Sequence, residues 1–194
     1  MKSRLKFLIV ISVLCILAVV LYYHFSNSMA ASKKEDGTDN TEVREIDKLL
    51  TKDLESGYPI TVREVVNLYT RIQMCYYNED LTSEELVKLA YMATAIFDDE
   101  LVSNNSFDEY YSELLTEIDQ YMEEGRTISR IIIDKSSDVI YSTVEGEKYA
   151  SINCIYYLKT DKGTEKTTET YVLRKDSNDR WKILGWKLYE EDDD

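Results

Sequence analysis

The chain has 194 residues, and its 37 Asp and Glu against 23 Lys and Arg give a net charge of -14. A chain this acidic repels nucleic-acid phosphates and anionic lipid headgroups at long range, so nucleic-acid-binding classes are excluded. Six Gly, one Pro and three Cys among 44% hydrophobic residues also exclude collagen-like, disordered and disulfide-scaffold classes. The length leaves room for one globular domain besides a membrane segment.

The N-terminal part of the sequence indicates a membrane anchor. Residues 7–25 are predominantly apolar and have about the length that crosses a hydrocarbon core, while residues 1–6 are basic. Because positive residues favour the cytoplasmic side, we expect a single-pass helix in the lipid bilayer, with the N-terminus inside the cell and the C-terminal domain outside. A cleaved signal peptide is the alternative interpretation, because residues 28–30 offer small side chains at a possible cleavage site.

Polar segments flank the predicted outer domain. Residues 26–41 contain no Val, Ile, Leu or aromatic side chain, which predicts a flexible linker. Residues 191–194 are all acidic, and their mutual repulsion predicts a frayed tail. The outer domain itself is expected to span residues 42–190.

Three capping boxes predict helix starts in the first half of this domain. In each box a Thr or Ser is followed by Glu three residues later: Thr61 and Glu64, Thr82 and Glu85, Ser106 and Glu109. Apolar residues recur at helical spacing behind each box, and a similar run over residues 43–54 precedes them. The sequence thus predicts about four amphipathic helices, with the acidic residues 98–100 at the end of the third.

After Gly125 the period of the apolar residues changes to two, which indicates strands. Runs rich in β-branched and aromatic residues predict five strands, at residues 128–133, 139–144, 148–160, 167–175 and 181–190. Short loops between them favour an antiparallel meander. The predicted fold class is α+β, with the helices packed on one face of a curved sheet.

The last predicted strand contains both tryptophans of the chain. Leu184, Trp186 and Leu188 alternate onto one face, which predicts that Trp186 is buried against the helices and that Trp181 is more exposed. Gly185 within this strand predicts a bulge or a bend.

The organisation of the chain resembles that of a known group of proteins. A basic N-terminus, one membrane span, a polar linker, amphipathic helices and a final strand reading RWKILGWKLYEE are similar to single-pass membrane proteins of Firmicutes whose extracytoplasmic domain is a cone like nuclear transport factor 2. The resemblance covers residues 42–194 and implies a cone-like α+β domain. It includes no catalytic motif, and the helices all precede the sheet, as in the extracytoplasmic cones of conjugation and secretion machines.

Few residues of the predicted outer domain could carry catalysis. The one histidine, His24, lies at the edge of the membrane segment, so the outer domain lacks an imidazole for a catalytic triad or a transition-metal site. Cys75 and Cys154 are expected to be separate buried thiols, and a disulfide between them is the alternative. The sequence contains no phosphate-binding loop or CxxC motif. We therefore predict no catalytic, cofactor-binding or metal-binding residues and no cofactor.

Aromatic residues are the remaining candidates for a binding site. Tyr69, Tyr156 and Trp186 are predicted to line a possible pocket in the cone. We expect a non-catalytic module that binds a protein partner at the cell surface. The alternatives are binding of a small ligand or cell-wall fragment in the aromatic cone, and an isomerase-like enzyme. An open aromatic cavity with an inward carboxyl would favour the enzyme, whereas a filled cavity with an exposed apolar patch would favour the partner.

Overall fold

A computed structural model of the protein describes residues 44–189. The predicted anchor, the linker and the acidic tail lie outside these residues. Within them the fold is α+β, with α-helices preceding an antiparallel sheet. The helices are α1 (Glu45–Leu50), α2 (Val62–Asn78), α3 (Ser83–Thr94), α4 (Asp99–Asn104) and α5 (Phe107–Glu123). The strands are β1 (Thr127–Ile133), β2 (Ile140–Val144), β3 (Glu147–Thr160), β4 (Gly163–Lys175) and β5 (Trp181–Leu188). In residues 44–189 no helix combines the length and the apolar character that crossing a membrane requires.

The helices α2, α3 and α5 begin at the predicted capping boxes. In α2 the Glu64 N–H donates to Thr61 Oγ1 at 3.2 Å, and the Thr61 N–H donates to Glu64 Oε2 at 3.0 Å. The corresponding side chains make the same exchange in α3 and α5. Each box satisfies backbone N–H groups that the first helical turn would otherwise leave without a partner. Neighbouring residues alone therefore decide where these three helices start.

The short helix α4 is a correction to the prediction of four helices. Asp98 does not end α3; it precedes α4 and caps it by accepting a hydrogen bond from the Glu100 N–H at 2.9 Å. The Asp98 carboxylate is buried and accepts two further hydrogen bonds from the Arg174 guanidinium in β4, one of them 3.1 Å long. A buried carboxylate needs such partners to offset the loss of water.

The strands form one antiparallel sheet in which β3 pairs with three others. β4 and β5 follow β3 on one side, and β1 and β2 both lie on the other side. β1 pairs with residues 154–159 of β3 and β2 with residues 147–151, and a 3₁₀ turn at Ser136–Asp138 separates them. The predicted meander is thus right from β2 to β5 and wrong for β1, because the long β3 offers pairing positions for two consecutive strands.

The helices pack on one face of the sheet and close the core. In β3 the buried residues alternate with half-buried ones; they are Ala150, Ile152, Cys154, Tyr156 and Leu158. The end of α2 is joined to β1 by Asn78, whose amide donates to the Ile128 carbonyl at 2.7 Å and accepts from the Ile128 N–H at 2.9 Å. Cys75 of α2 and Cys154 of β3 are both free and buried, which confirms the prediction of separate thiols.

The burial predicted for the two tryptophans is wrong. Trp181 is 7% exposed, whereas Trp186 is 39% exposed and Leu188 is 65% exposed. Trp181 contacts two tyrosines of other segments. Its carbonyl accepts a hydrogen bond from Tyr58 Oη at 2.8 Å. The ring of Tyr141 in β2 also approaches it to 5.8 Å across the two intervening strands.

The burial of Trp181 on the helix side follows from a bulge in β5. Leu173 of β4 pairs with Ile183, and Tyr171 pairs with Trp186, which leaves Leu184 as the extra residue. The alternation of faces changes phase at this point, so Ile183 and Trp186 lie on the same side of the sheet although they are three residues apart. The bulge itself was predicted from Gly185, but its effect on the phase was not.

Candidate functional site

A cleft with two lobes lies between α2, α5 and the end of β5. The larger lobe has a volume of about 230 Å³ and the smaller lobe about 90 Å³. The lobes share four lining residues, which are Tyr69, Tyr77, Glu117 and Trp186, so they are parts of one cleft.

One stripe of α2 forms a wall of the cleft. Tyr69, Gln73 and Tyr77 are four residues apart, so the helical period places them on the same face, over the sheet. α5 forms the opposite wall with Glu113, Leu114 and Glu117, of which only Leu114 is fully buried. Tyr77 of α2 stacks on Tyr121 of α5, with the two ring centroids 4.2 Å apart.

Trp186 lies at the centre of an aromatic cluster and remains partly open to solvent. Its ring centroid is 5.4 Å from that of Tyr69, 5.9 Å from that of Tyr171 and 6.0 Å from that of Phe97. These tilted contacts are in the range in which aromatic pairs stabilise one another. Because Trp186 is 39% exposed, part of its ring is available to a ligand at the mouth of the cleft.

The structure brings together all three residues predicted to line a pocket. Tyr69 and Trp186 line both lobes, and Tyr156 lines the smaller lobe. Tyr69 is 4% exposed. Its hydroxyl nevertheless has no hydrogen-bond partner among the described residues. Burial raises the pKa of Tyr69 well above its ordinary value, so the hydroxyl stays protonated and can donate to a ligand.

The floor of the smaller lobe contains a chain of hydrogen bonds that ends at a carboxyl group. Tyr156 Oη is 2.6 Å from Tyr171 Oη and 2.7 Å from Gln73 Oε1, and Tyr171 Oη is 3.0 Å from Glu169 Oε2. Each hydroxyl has one proton, so the chain can be complete in two ways. With Glu169 ionised, both hydroxyls donate toward it and the Gln73 amide must turn its NH₂ to Tyr156. With Glu169 protonated, the donors point the other way, to Gln73 Oε1.

Glu169 is the inward carboxyl that the sequence analysis did not identify. Burial raises the pKa of Glu169, the Tyr171 hydroxyl partly opposes this by hydrogen bonding, and the nearby charge of Glu117 raises the pKa further. Alternation along β4 could have found it, since Glu169 shares a face with the buried Tyr171 and Leu173. Glu117 has no comparable signal, because it is one of many exposed acids on an amphipathic helix.

The remaining candidate groups offer no nucleophile. Burial is the main cause that raises the pKa of both Cys75 and Cys154 to about 12, so both thiols are protonated at neutral pH. Within residues 44–189, no group of three or more His, Cys, Asp or Glu side chains is arranged to hold a metal ion.

Comparisons with known proteins add a family but no activity. No curated protein sequence matches this chain. A similar solved structure is that of a mutant of the helical cell shape determining protein Pgp2 from Campylobacter jejuni, with a TM-score of 0.32 and 14% sequence identity. That match covers 64% of this chain, and this chain spans 40% of the length of that protein. A family model described as a domain of unknown function matches residues 1–186, and the chain therefore belongs to the family DUF6715.

Proposed function

We propose that this protein is a membrane-anchored, extracytoplasmic binding module that takes a small ligand into the cleft without catalysing a reaction. Residues 7–25 anchor it in the bilayer and residues 1–6 stay in the cytoplasm, an orientation that the N-terminal charge pattern supports. The outer domain is of the cone type. The 5.8 Å approach of Tyr141 to Trp181 across the sheet supports this curved shape.

The cleft is the observation that carries the proposal. Ligand sites are typically concave, mostly apolar and provided with a few polar groups, and the larger lobe of this cleft has that composition. Protein interiors otherwise pack densely, so a space of about 230 Å³ beside Trp186 and Tyr69 forgoes packing contacts that larger side chains would supply. A binding role accounts for an unfilled aromatic cleft.

A neutral probe, 4-phenyl-1-butanol, tests whether the cleft binds small ligands. The full chain, labelled with 5-fluorotryptophan and kept in an uncharged maltoside detergent, should give one ¹⁹F resonance for each of its two tryptophans. The Trp186→Phe variant assigns them. We expect the probe to move the Trp186 resonance saturably and to leave the Trp181 resonance in place. Equal movement of both resonances would contradict the proposal, and so would a failure of this probe and of its charged analogues to move the Trp186 resonance.

The proposed topology has a separate test. Protease added to intact protoplasts should degrade the outer domain and leave the N-terminal residues protected. Recovery of a soluble chain that begins at Ala31 would instead show that the N-terminal segment is a cleaved signal peptide.

A protein partner is the second candidate, and the exposed β2 strand favours it. Ile140, Tyr141 and Val144 are 70%, 59% and 56% exposed. Exposed apolar strands are sites at which another chain can add a strand. Ile140→Lys should abolish co-purification of such a partner from the native membrane while leaving binding of 4-phenyl-1-butanol unchanged. Retention of the partner by this variant would remove β2 from consideration.

An isomerase-like activity has less support. Such a site uses a Tyr hydroxyl and a protonated acid that both donate to a substrate oxygen. The cleft does offer the inward Glu169 carboxyl and the Tyr69 hydroxyl. The hydroxyl that bonds to Glu169, however, is that of Tyr171, which is buried and also bonds to Tyr156, so it does not face a substrate. We expect no conversion of cyclohex-3-enone to cyclohex-2-enone above the buffer rate, measured by ultraviolet absorbance.

A further inference from the structure

The acidic side chains of the cleft have no basic partners. Glu113 and Glu117 line the larger lobe, Glu117 and Glu169 line the smaller lobe, and no Lys, Arg or His lines either. Within residues 44–189 none of these three carboxyl groups forms an ion pair. Arg126, which follows α5, is paired with Glu124 at 2.8 Å. The cleft is therefore negatively charged and lacks a counter-charge of its own.

The positions of the acids favour a cation within the cleft. Glu113 and Glu117 are exposed and one turn apart on α5, whereas Glu169 is half-buried on β4. Glu117 and Glu169 line the same lobe, and the charge of Glu117 is one of the causes that raise the pKa of Glu169, so the two carboxyl groups lie close enough to repel each other. A cation bound between them would interact favourably with both and would reverse that effect.

Aromatic rings supply the rest of the recognition surface. The faces of Trp and Tyr rings attract ammonium groups, most strongly where water is excluded. Trp186, Tyr69 and Tyr77 all line the cleft beside Glu117. The oxygen of the Tyr69 hydroxyl can also accept a hydrogen bond from an ammonium group. An apolar body attached to that ammonium group would lie against Phe97 and Leu114 in the larger lobe.

We infer that the cleft binds an organic cation, with an ammonium group held between Glu117 and Glu169 beside the rings of Trp186 and Tyr69. The apolar body of the cation is held against Phe97 and Leu114 in the larger lobe. This inference rests on the proposed function and names the ligand class for the same site. A neutral ligand of the same shape leaves the carboxylates without a partner, and an anionic one is repelled by them.

Three probes with one carbon skeleton separate the effect of charge from that of shape. 4-Phenylbutylamine carries an ammonium group at neutral pH, 4-phenyl-1-butanol is neutral, and 4-phenylbutyrate is anionic. Each is titrated into the fluorotryptophan-labelled full chain in the uncharged detergent, and the dissociation constant is read from the Trp186 resonance. We expect the amine to bind about tenfold more tightly than the alcohol, and the acid more weakly than both.

A matched pair of variants on α5 tests the position of the charge. Glu117→Gln should weaken binding of the amine by about threefold and leave binding of the alcohol unchanged. Asp119→Asn removes the same charge from an exposed position of α5 that does not line the cleft, and it should change neither constant. The preference for the amine should also decrease as salt is added.

The outcomes distinguish this inference from the proposed function. If the alcohol binds as tightly as the amine, the inference is overturned while ligand binding stands. The inference is also overturned if Glu117→Gln weakens the amine and the alcohol equally, since that result indicates a change in packing. If none of the three probes moves the Trp186 resonance, both the proposed function and the inference are wrong.

Discussion

The two ends of β5 belong to one strand but have different surroundings. At its start, Trp181 and Ile183 are buried, and the segment before α4 continues the sheet beside them. There the Asp98 N–H donates to the Ile183 carbonyl at 2.8 Å, and the Ile183 N–H donates to the Ile96 carbonyl at 2.9 Å. At the other end Trp186 is 39% exposed and borders the cleft.

The bulge at Leu184 divides these two ends. It leaves pairing with β4 intact on both sides, yet it allows Ile183 and Trp186 to face the helices in succession. A single extra residue therefore lets one strand close the core at one end and form the wall of a cleft at the other.

The largest expected effect is a difference between the two tryptophans in stability. Trp181→Ala should reduce the free energy of unfolding by about 3 to 5 kcal/mol, because it truncates a buried Trp. Trp186→Ala should cost about 1 to 2 kcal/mol, because part of the ring already faces water. Urea unfolding of the full chain, followed by circular dichroism, measures both. Equal costs would show that the two ends of β5 are packed alike.

The next effect concerns the ion pair between Asp98, which caps α4, and Arg174 of β4. Asp98→Ala should cost about 2 to 3 kcal/mol, because it leaves the Arg174 guanidinium in a largely buried position without its main partner. Arg174 keeps weaker contacts with Glu100 at 3.2 Å and Glu147 at 3.3 Å, which limits the loss. The neighbouring exposed Asp99→Ala is the control and should change stability by less than about 0.5 kcal/mol.

A smaller effect is expected from the acid at the floor of the cleft. The pKa of Glu169 is raised in the folded protein, first by burial and then by Glu117, against the hydrogen bonds from Tyr171 and Tyr156. A raised carboxyl pKa contributes stability that is present below the unfolded pKa and is lost as pH rises through the folded pKa. Glu169→Gln should therefore remove part of the decrease in stability above pH about 4.5, which urea unfolding across that range would detect. A parallel decrease in the variant would mean that Glu169 is not perturbed.

The smallest effect changes only fluorescence. In the single-tryptophan variants Trp181→Phe and Trp186→Phe, acrylamide should quench Trp186 more strongly than Trp181, because Trp186 is the more exposed. Relative to the quenching of free N-acetyltryptophanamide by each ion, caesium should quench Trp186 more strongly than iodide at equal ionic strength, since Glu113 and Glu117 attract cations and repel anions. Stronger quenching by iodide would contradict the negative charge assigned to the cleft.

Local features of the fold could be read from the sequence. The starts of α2, α3 and α5 depend on a hydroxyl and a carboxylate three residues apart, and that spacing is visible in the chain itself. The five strands were predicted close to their observed positions because the alternation of apolar residues repeats every two residues.

Pairings between residues that are distant in the sequence could not be predicted from such local patterns. Asp98 and Arg174 are 76 positions apart, so the sequence did not show that they pair. Asp98 was therefore predicted to end α3, whereas in the structure it caps α4. β1 and β2 were predicted as neighbours because they are consecutive, although both pair with β3. Such choices depend on which partners the folded chain brings within reach.

The candidate site likewise combines features that the sequence shows with features that depend on contacts between distant residues. The sequence by itself determined that Tyr69, Tyr156 and Trp186 are large aromatic residues on elements that face a common core, and that residues 42–190 contain no histidine. Only the tertiary structure decided that Trp186 borders an open cleft and that Glu169 points into it. The physical reason is that the bulge puts Ile183 and Trp186 on the same side of the sheet, and that the cleft between α2 and α5 then leaves part of Trp186 open to solvent. The raised pKa of Glu169, likewise, depends on burial by side chains from other elements.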